Sequence, residues 1–139
     1  MKRWSSLVAV LLLLVIVVVA GCGSKSQTQP VVNLTNDTGD SLGASITVDK
    51  DDNVHLGYYD NTPGKNEIYY GIKPKSGGWS APVNVTKNNG ESFSPNLLVR
   101  PDGTLDLAWH DDEYSRNYQV LFSSKAPGAD WTKAVNVSA

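Results

Sequence analysis

Slid against itself by 51 residues, the chain lays Val32 to Asp60 over Val83 to Asp111 without a gap, and nine of those 29 positions are identical. The identities are Val32/Val83, Asn33/Asn84, Thr35/Thr86, Gly39/Gly90, Ser41/Ser92, Val48/Val99, Asp51/Asp102, Leu56/Leu107 and Asp60/Asp111. One inserted residue later the correspondence resumes with Ile68/Val120, Tyr70/Phe122 and Trp79/Trp131. It starts a third time where Val135-Asn136-Val137-Ser138 repeats Val83-Asn84-Val85-Thr86. A chain built this way folds as equivalent units, each burying its apolar face on a neighbour.

Each copy contains four short runs of alternating character. In the first they are Ala44–Val48, Val54–Tyr58, Glu67–Ile72 and Trp79–Val85; in the second, Pro95–Val99, Leu105–Trp109, Gln119–Ser123 and Trp131–Val137. Ile46 and Val48, then Val54, Leu56 and Tyr58, then Ile68 and Tyr70, then Val83 and Val85 recur at every second residue, the period of a strand with one buried face. Asp49 to Asn53 and Arg100-Pro101-Asp102-Gly103-Thr104 separate the first two runs of each copy with turn formers. No helical period is sustained after residue 30. The expected fold is therefore all-β: two four-stranded antiparallel meanders, at a repeat length that matches a β-propeller blade. The expected limits are 31–82 for the first repeat, 83–134 for the second, and 135–139 for the opening strand of a third.

The residues carry a family resemblance. Asp102-Gly103-Thr104-Leu105-Asp106-Leu107-Ala108-Trp109, Glu67-Ile68-Tyr69-Tyr70 and Gly77-Gly78-Trp79-Ser80-Ala81-Pro82-Val83-Asn84-Val85-Thr86 resemble the Asp-box (BNR) repeats of sialidase-like β-propellers. The family's box runs Ser-x-Asp-x-Gly-x-x-Trp; Ser124, Gly128 and Trp131 fit it, while Ala126 stands in place of the aspartate. The resemblance implies an active site of three arginines, a tyrosine–glutamate pair and an aspartate. Beyond residue 21 the chain has only Arg100 and Arg116. A carboxylate clamp depends on the planar fork of arginine, which lysine does not replace. The expectation is a protein that is not an enzyme.

The N-terminus reads differently. Lys2 and Arg3 precede fourteen uninterrupted apolar residues, Leu7 to Ala20, too few for a spanning helix of roughly 20. The run closes on Val19-Ala20-Gly21-Cys22, which resembles the lipobox of bacterial lipoproteins. That resemblance implies a signal peptide over 1–21, removed on export, and a lipid on Cys22, the only cysteine. Residues 22–30 are polar and read as a flexible tether. The expected location is the extracytoplasmic side of a cell membrane or outer membrane. Without Lys2 and Arg3 the charge changes from 12 basic and 14 acidic to 10 and 14, a net of −4. A nucleic-acid partner calls for a basic stripe instead.

In the family the ligand face is the end where loops between second and third strands meet the linkers between blades. Here that face would carry Tyr59, Asp60, His110, Asp111, Glu113 and Arg116, with Tyr114 beside them and Asp37, Asp40 and Glu91 near. Aromatic rings stack on apolar sugar faces and carboxylates accept hydroxyl hydrogen bonds, so a glycan or peptide ligand is the expectation. Asp49-x-Asp51-x-Asn53 resembles the start of a calcium loop but lacks its glycine and distal glutamate, and reads as a plain turn. His55 and His110 occupy unmatched positions in the two repeats. No metal or cofactor is expected. The functional expectation is a lipid-anchored, non-catalytic binding or assembly module. A partial copy of a sialidase-like glycoside hydrolase and an envelope protein with no small ligand stand as alternatives. Two stacked blades leave two apolar faces open, so a homo-oligomer, or further blades, is expected.

Overall fold

A computed structural model describes residues 30–114 and 117–138. The signal segment, Cys22 and Arg116 lie outside the described residues. Within them the chain forms eight strands and no helix: β1 (Ser41–Val48), β2 (Val54–Asp60), β3 (Glu67–Lys73), β4 (Val83–Asn84), β5 (Ser92–Val99), β6 (Leu105–Asp111), β7 (Gln119–Lys125) and β8 (Val135–Asn136). They make two antiparallel four-stranded sheets in the orders β1-β2-β3-β4 and β5-β6-β7-β8.

The two sheets share their backbone irregularities. Left-handed φ occurs at Asn36 and Lys87, Gly43 and Ser94, and Asp52 and Gly103, each pair 51 residues apart; in the turn after the third strand, where the repeat runs at 52, Gly77 and Gly128 stand one position out of step. The Gly43 and Ser94 positions explain why β1 and β5 begin three residues earlier than alternation predicts. A bulge between Leu42 and Ser45, and another between Phe93 and Asn96, shifts the register so that pairing continues to Ser41 and Ser92. At Gly43 a Cβ would also meet the Tyr59 ring at 2.6 Å. Ser94 is exposed and holds the same turn at φ 53° with a side chain. Ser94→Gly is expected to raise stability by about 0.5 to 1 kcal/mol, since the left-handed strain outweighs the added chain entropy. A lower urea midpoint for the glycine variant would contradict this.

The fourth strands are shorter than Trp79–Val85 and Trp131–Val137. Only Val83–Asn84 and Val135–Asn136 pair as strands. Upstream, a hydroxyl replaces part of the ladder: Ile72 N donates to Ser80 Oγ (3.1 Å) and Ser80 N to Ile72 O (2.8 Å). Ser124 N and Thr132 repeat both bonds at 3.0 and 2.8 Å. Pro82, which has no N–H, ends the possibility of a continuous ladder in the first sheet.

The core lies between the sheets. Ile68 and Tyr70 from the first meet Leu97, Leu105, Leu107, Trp109 and Leu121 from the second. Gly57 lies at this interface, its Cβ position an ordinary contact distance of 3.8 Å from both Leu97 and Leu107. Leu97 N donates to Ser45 Oγ at 3.0 Å, and the Trp131 ring stands edge-on to Tyr70 at 5.5 Å. Alternation also predicts a buried face for Ile46 and Val48. These two are 65% and 53% exposed, because the opposite face of the first sheet is the one that meets its neighbour.

Candidate functional site

At the loop end, the repeated residues form one device twice. Asp60 closes β2 and is buried; its carboxylate accepts from Ser41 Oγ (2.5 Å) and from Thr62 N (2.7 Å). Burial would raise its pKa, but the Ser41 and Thr62 hydrogen bonds outweigh it and the net direction is down. Asp111 closes β6 in the same way. It accepts from Ser92 Oγ (2.7 Å), Trp109 Nε1 (2.9 Å), Asn88 Nδ2 (2.8 Å) and Glu113 N (2.8 Å), and it is fully buried. The glycines Gly39 and Gly90 belong to the same device. A Cβ on Gly90 would meet Glu113 N at 2.5 Å and Asp111 Oδ1 at 2.7 Å; one on Gly39 would meet Thr62 Oγ1 at 2.5 Å.

The third repeated element, Asn-x-Thr/Ser, is an Asx turn. Asn33 Oδ1 accepts from Thr35 N and Asn36 N, Asn84 Oδ1 from Thr86 N and Lys87 N, and Asn136 Oδ1 from Ser138 N. Most of the sequence identity between the repeats thus serves architecture.

The expected ligand residues divide accordingly. Asp60 and Asp111 are turned into the chain and their oxygens are engaged there. Glu113 accepts from the amides of Asn89 (2.5 Å) and Gly90 (3.0 Å), tying the second loop to the linker between the sheets. Tyr59 is half-buried, edge-on to Phe93 at 5.3 Å. His110 and Tyr114 are exposed. The first loop also grips the linker: Asn66 N and Nδ2 donate to Glu91 Oε2 at 2.9 and 2.7 Å, and Lys65 Nζ reaches Glu67 and the Asn88 carbonyl.

At the opposite end, a cavity of about 350 Å³ opens between the sheets, lined by Asp49, His55 and Tyr70 on one side and by Gly103, Lys125 and Pro127 on the other. His55 is buried, with Nδ1 2.7 Å from the Tyr70 hydroxyl and Nε2 3.2 Å from Asp49 Oδ2. Burial, followed by the Asp49 charge, pushes the Tyr70 hydroxyl up to about 12. Asp49 is held well below the usual carboxylate range, chiefly by the Asn53 side-chain amide (2.9 Å). Both imidazole nitrogens are thus occupied. The trio braces the β1–β2 turn. The second repeat does the same with the acidic partner at the other position, since Arg100 Nε donates to Asp106 Oδ2 at 2.6 Å. Aligning Asp49 with Arg100 and His55 with Asp106 exposes this pair in the sequence, which reading each histidine alone does not.

Comparison with protein-family models, curated proteins and solved structures finds no match to this chain.

Proposed function

We propose that this chain is an extracytoplasmic, lipid-anchored module of two propeller-type blades that works by binding and assembly and carries out no catalysis. The observation that carries the non-catalytic part is the state of Asp60 and Asp111. A glycosidase needs a pair of carboxylates aimed at substrate, and these two accept hydrogen bonds from their own loops instead. The exposed groups that remain at the loop end, His110, Tyr114 and Tyr118, suit contact with a glycan or a peptide. The anchor rests on Val19-Ala20-Gly21-Cys22 following the apolar run. The diacylglycerol implied by that resemblance has two acyl chains, enough for stable attachment where a single one is marginal.

Membrane fractionation tests the anchor. Wild-type protein is expected to take up a palmitate analogue and sediment with membranes. Cys22→Ser is expected to lose the label and either appear in the soluble fraction or accumulate with its signal segment uncleaved. A Cys22→Ser protein that is processed normally and stays on the membrane would overturn the reading.

A further inference from the structure

The interface inside the chain is a template for one between chains. Sheet two is covered on the face that carries Leu97, Leu107 and Trp131. The repeat places Ile46, Leu56 and Trp79 at those positions in sheet one, on a face that no part of the described chain covers with a sheet. There Ile46 and Val48 are more than half exposed, whereas their counterparts Leu97 and Val99 are packed. The covering face of sheet one carries Ser45 and Tyr70. Its counterpart on sheet two, with Asn96 and Phe122, is open, and Leu98, Val135 and Val137 stand exposed at 56%, 53% and 59%.

We propose that these two open faces dock on each other, sheet one of one copy onto sheet two of the next, in the geometry the chain already uses internally. This rests on the blade reading above and names its partner as a second copy of this chain. Two of the internal contacts have direct counterparts beyond the part of that face where residues 32–35 lie beside Leu56 and Tyr58. The Leu97–Ser45 hydrogen bond becomes Ile46 against Asn96, and the Trp131–Tyr70 ring pair becomes Trp79 against Phe122. A buried acceptor supports the choice. Asp106 Oδ1 has no partner among the described residues and belongs to the open side of sheet two, paired in register with Leu98. At the internal interface Lys125 of sheet two lines the cavity beside His55, the counterpart of Asp106. Lys73 occupies the Lys125 position in sheet one, so docking brings a cation to that carboxylate.

Such a contact is head-to-tail, joining two different surfaces, and it closes into a ring when the rotation permits. Propellers hold typically four to eight blades, and three copies give six.

The test is cross-linking of the full chain in membranes with a short bismaleimide, using Ile46→Cys/Asn96→Cys and each single variant. Both positions are exposed, so folding is not at stake. Within one copy they sit on opposite outer sides of the stack, and a cross-link between them joins two chains. The double variant is expected to give a ladder that ends at three chains, with neither single variant cross-linking. Cross-linked dimers from a single variant would mean like faces meet and would overturn the proposal. So would an absence of cross-links, a ladder running past three, or an adduct with a different protein. Wild type is the control for the anchor: a lipidated Cys22 does not react, so a wild-type band strikes the anchor alone, and the ladder is then read in a Cys22→Ser background.

Discussion

Asp111→Ala is expected to lower stability by about 3 to 5 kcal/mol. Four donors converge on this carboxylate, from Ser92, Trp109, Asn88 and Glu113, and the residue is fully buried. Removing the acceptor leaves the buried Ser92 and Trp109 donors without a partner where water does not reach, and each buried orphan costs about 1 to 3 kcal/mol. The losses are not additive, because Asn88 and the Glu113 amide lie near the surface and regain water. Against a total of about 5 to 15 kcal/mol for an ordinary domain, the change is large. Urea unfolding followed by tryptophan fluorescence measures it directly, since Trp109 is one of the donors. A loss below about 1 kcal/mol would mean that the loop end is held by something other than this residue.

Leu97→Ala and Ile46→Ala, the same substitution at matched positions of the two repeats, are expected to differ by about 2 to 4 kcal/mol in the isolated chain. Leu97 is 5% exposed in the core, so truncation loses transfer energy and opens a cavity. Ile46 is 65% exposed and its truncation falls within the small range of surface changes. The comparison is made at low protein concentration, where copies are separate. A wild-type midpoint that rises with concentration while that of Ile46→Ala falls behind it would be the thermodynamic mark of docking. Equal losses at every concentration would show that Ile46 is covered within its own chain.

Much of the fold was legible because the repeat states it twice. The second and third strands of each sheet start at the expected residues, and three of the left-handed positions recur 51 residues apart. Alternation could not say which face of the first sheet a neighbour would cover. Ile46 and Leu97 occupy equivalent places on equally patterned strands, and only the end of the stack at which each sheet stands separates them. The inward bonding of the loop carboxylates was not legible for a related reason. An acidic residue beside aromatics is the same composition whether it faces a ligand or closes its own loop. The recurrence of Ser41 with Asp60 and of Ser92 with Asp111 carried the structural meaning, since a serine paired with an aspartate at constant separation in both repeats marks a bond. His55 stayed unread because its partner aspartate is replaced by an arginine in the other copy, a reversal that identity counting discards.

The close approach of backbone at Gly39 and Gly90 bears on where such a chain is free to diversify. With Gly90 pressed against the Glu113 amide and Gly39 against Thr62, the linkers and the loops beside them have fixed lengths, and an added residue there would break the zipped backbone. The second repeat nevertheless carries one residue more than the first between Asp111 and Val120. That stretch presents Tyr114 and Tyr118 to solvent at 58% and 57%. The one difference in length between these loops thus falls in the stretch that carries the two exposed tyrosines, away from the glycine–aspartate contacts.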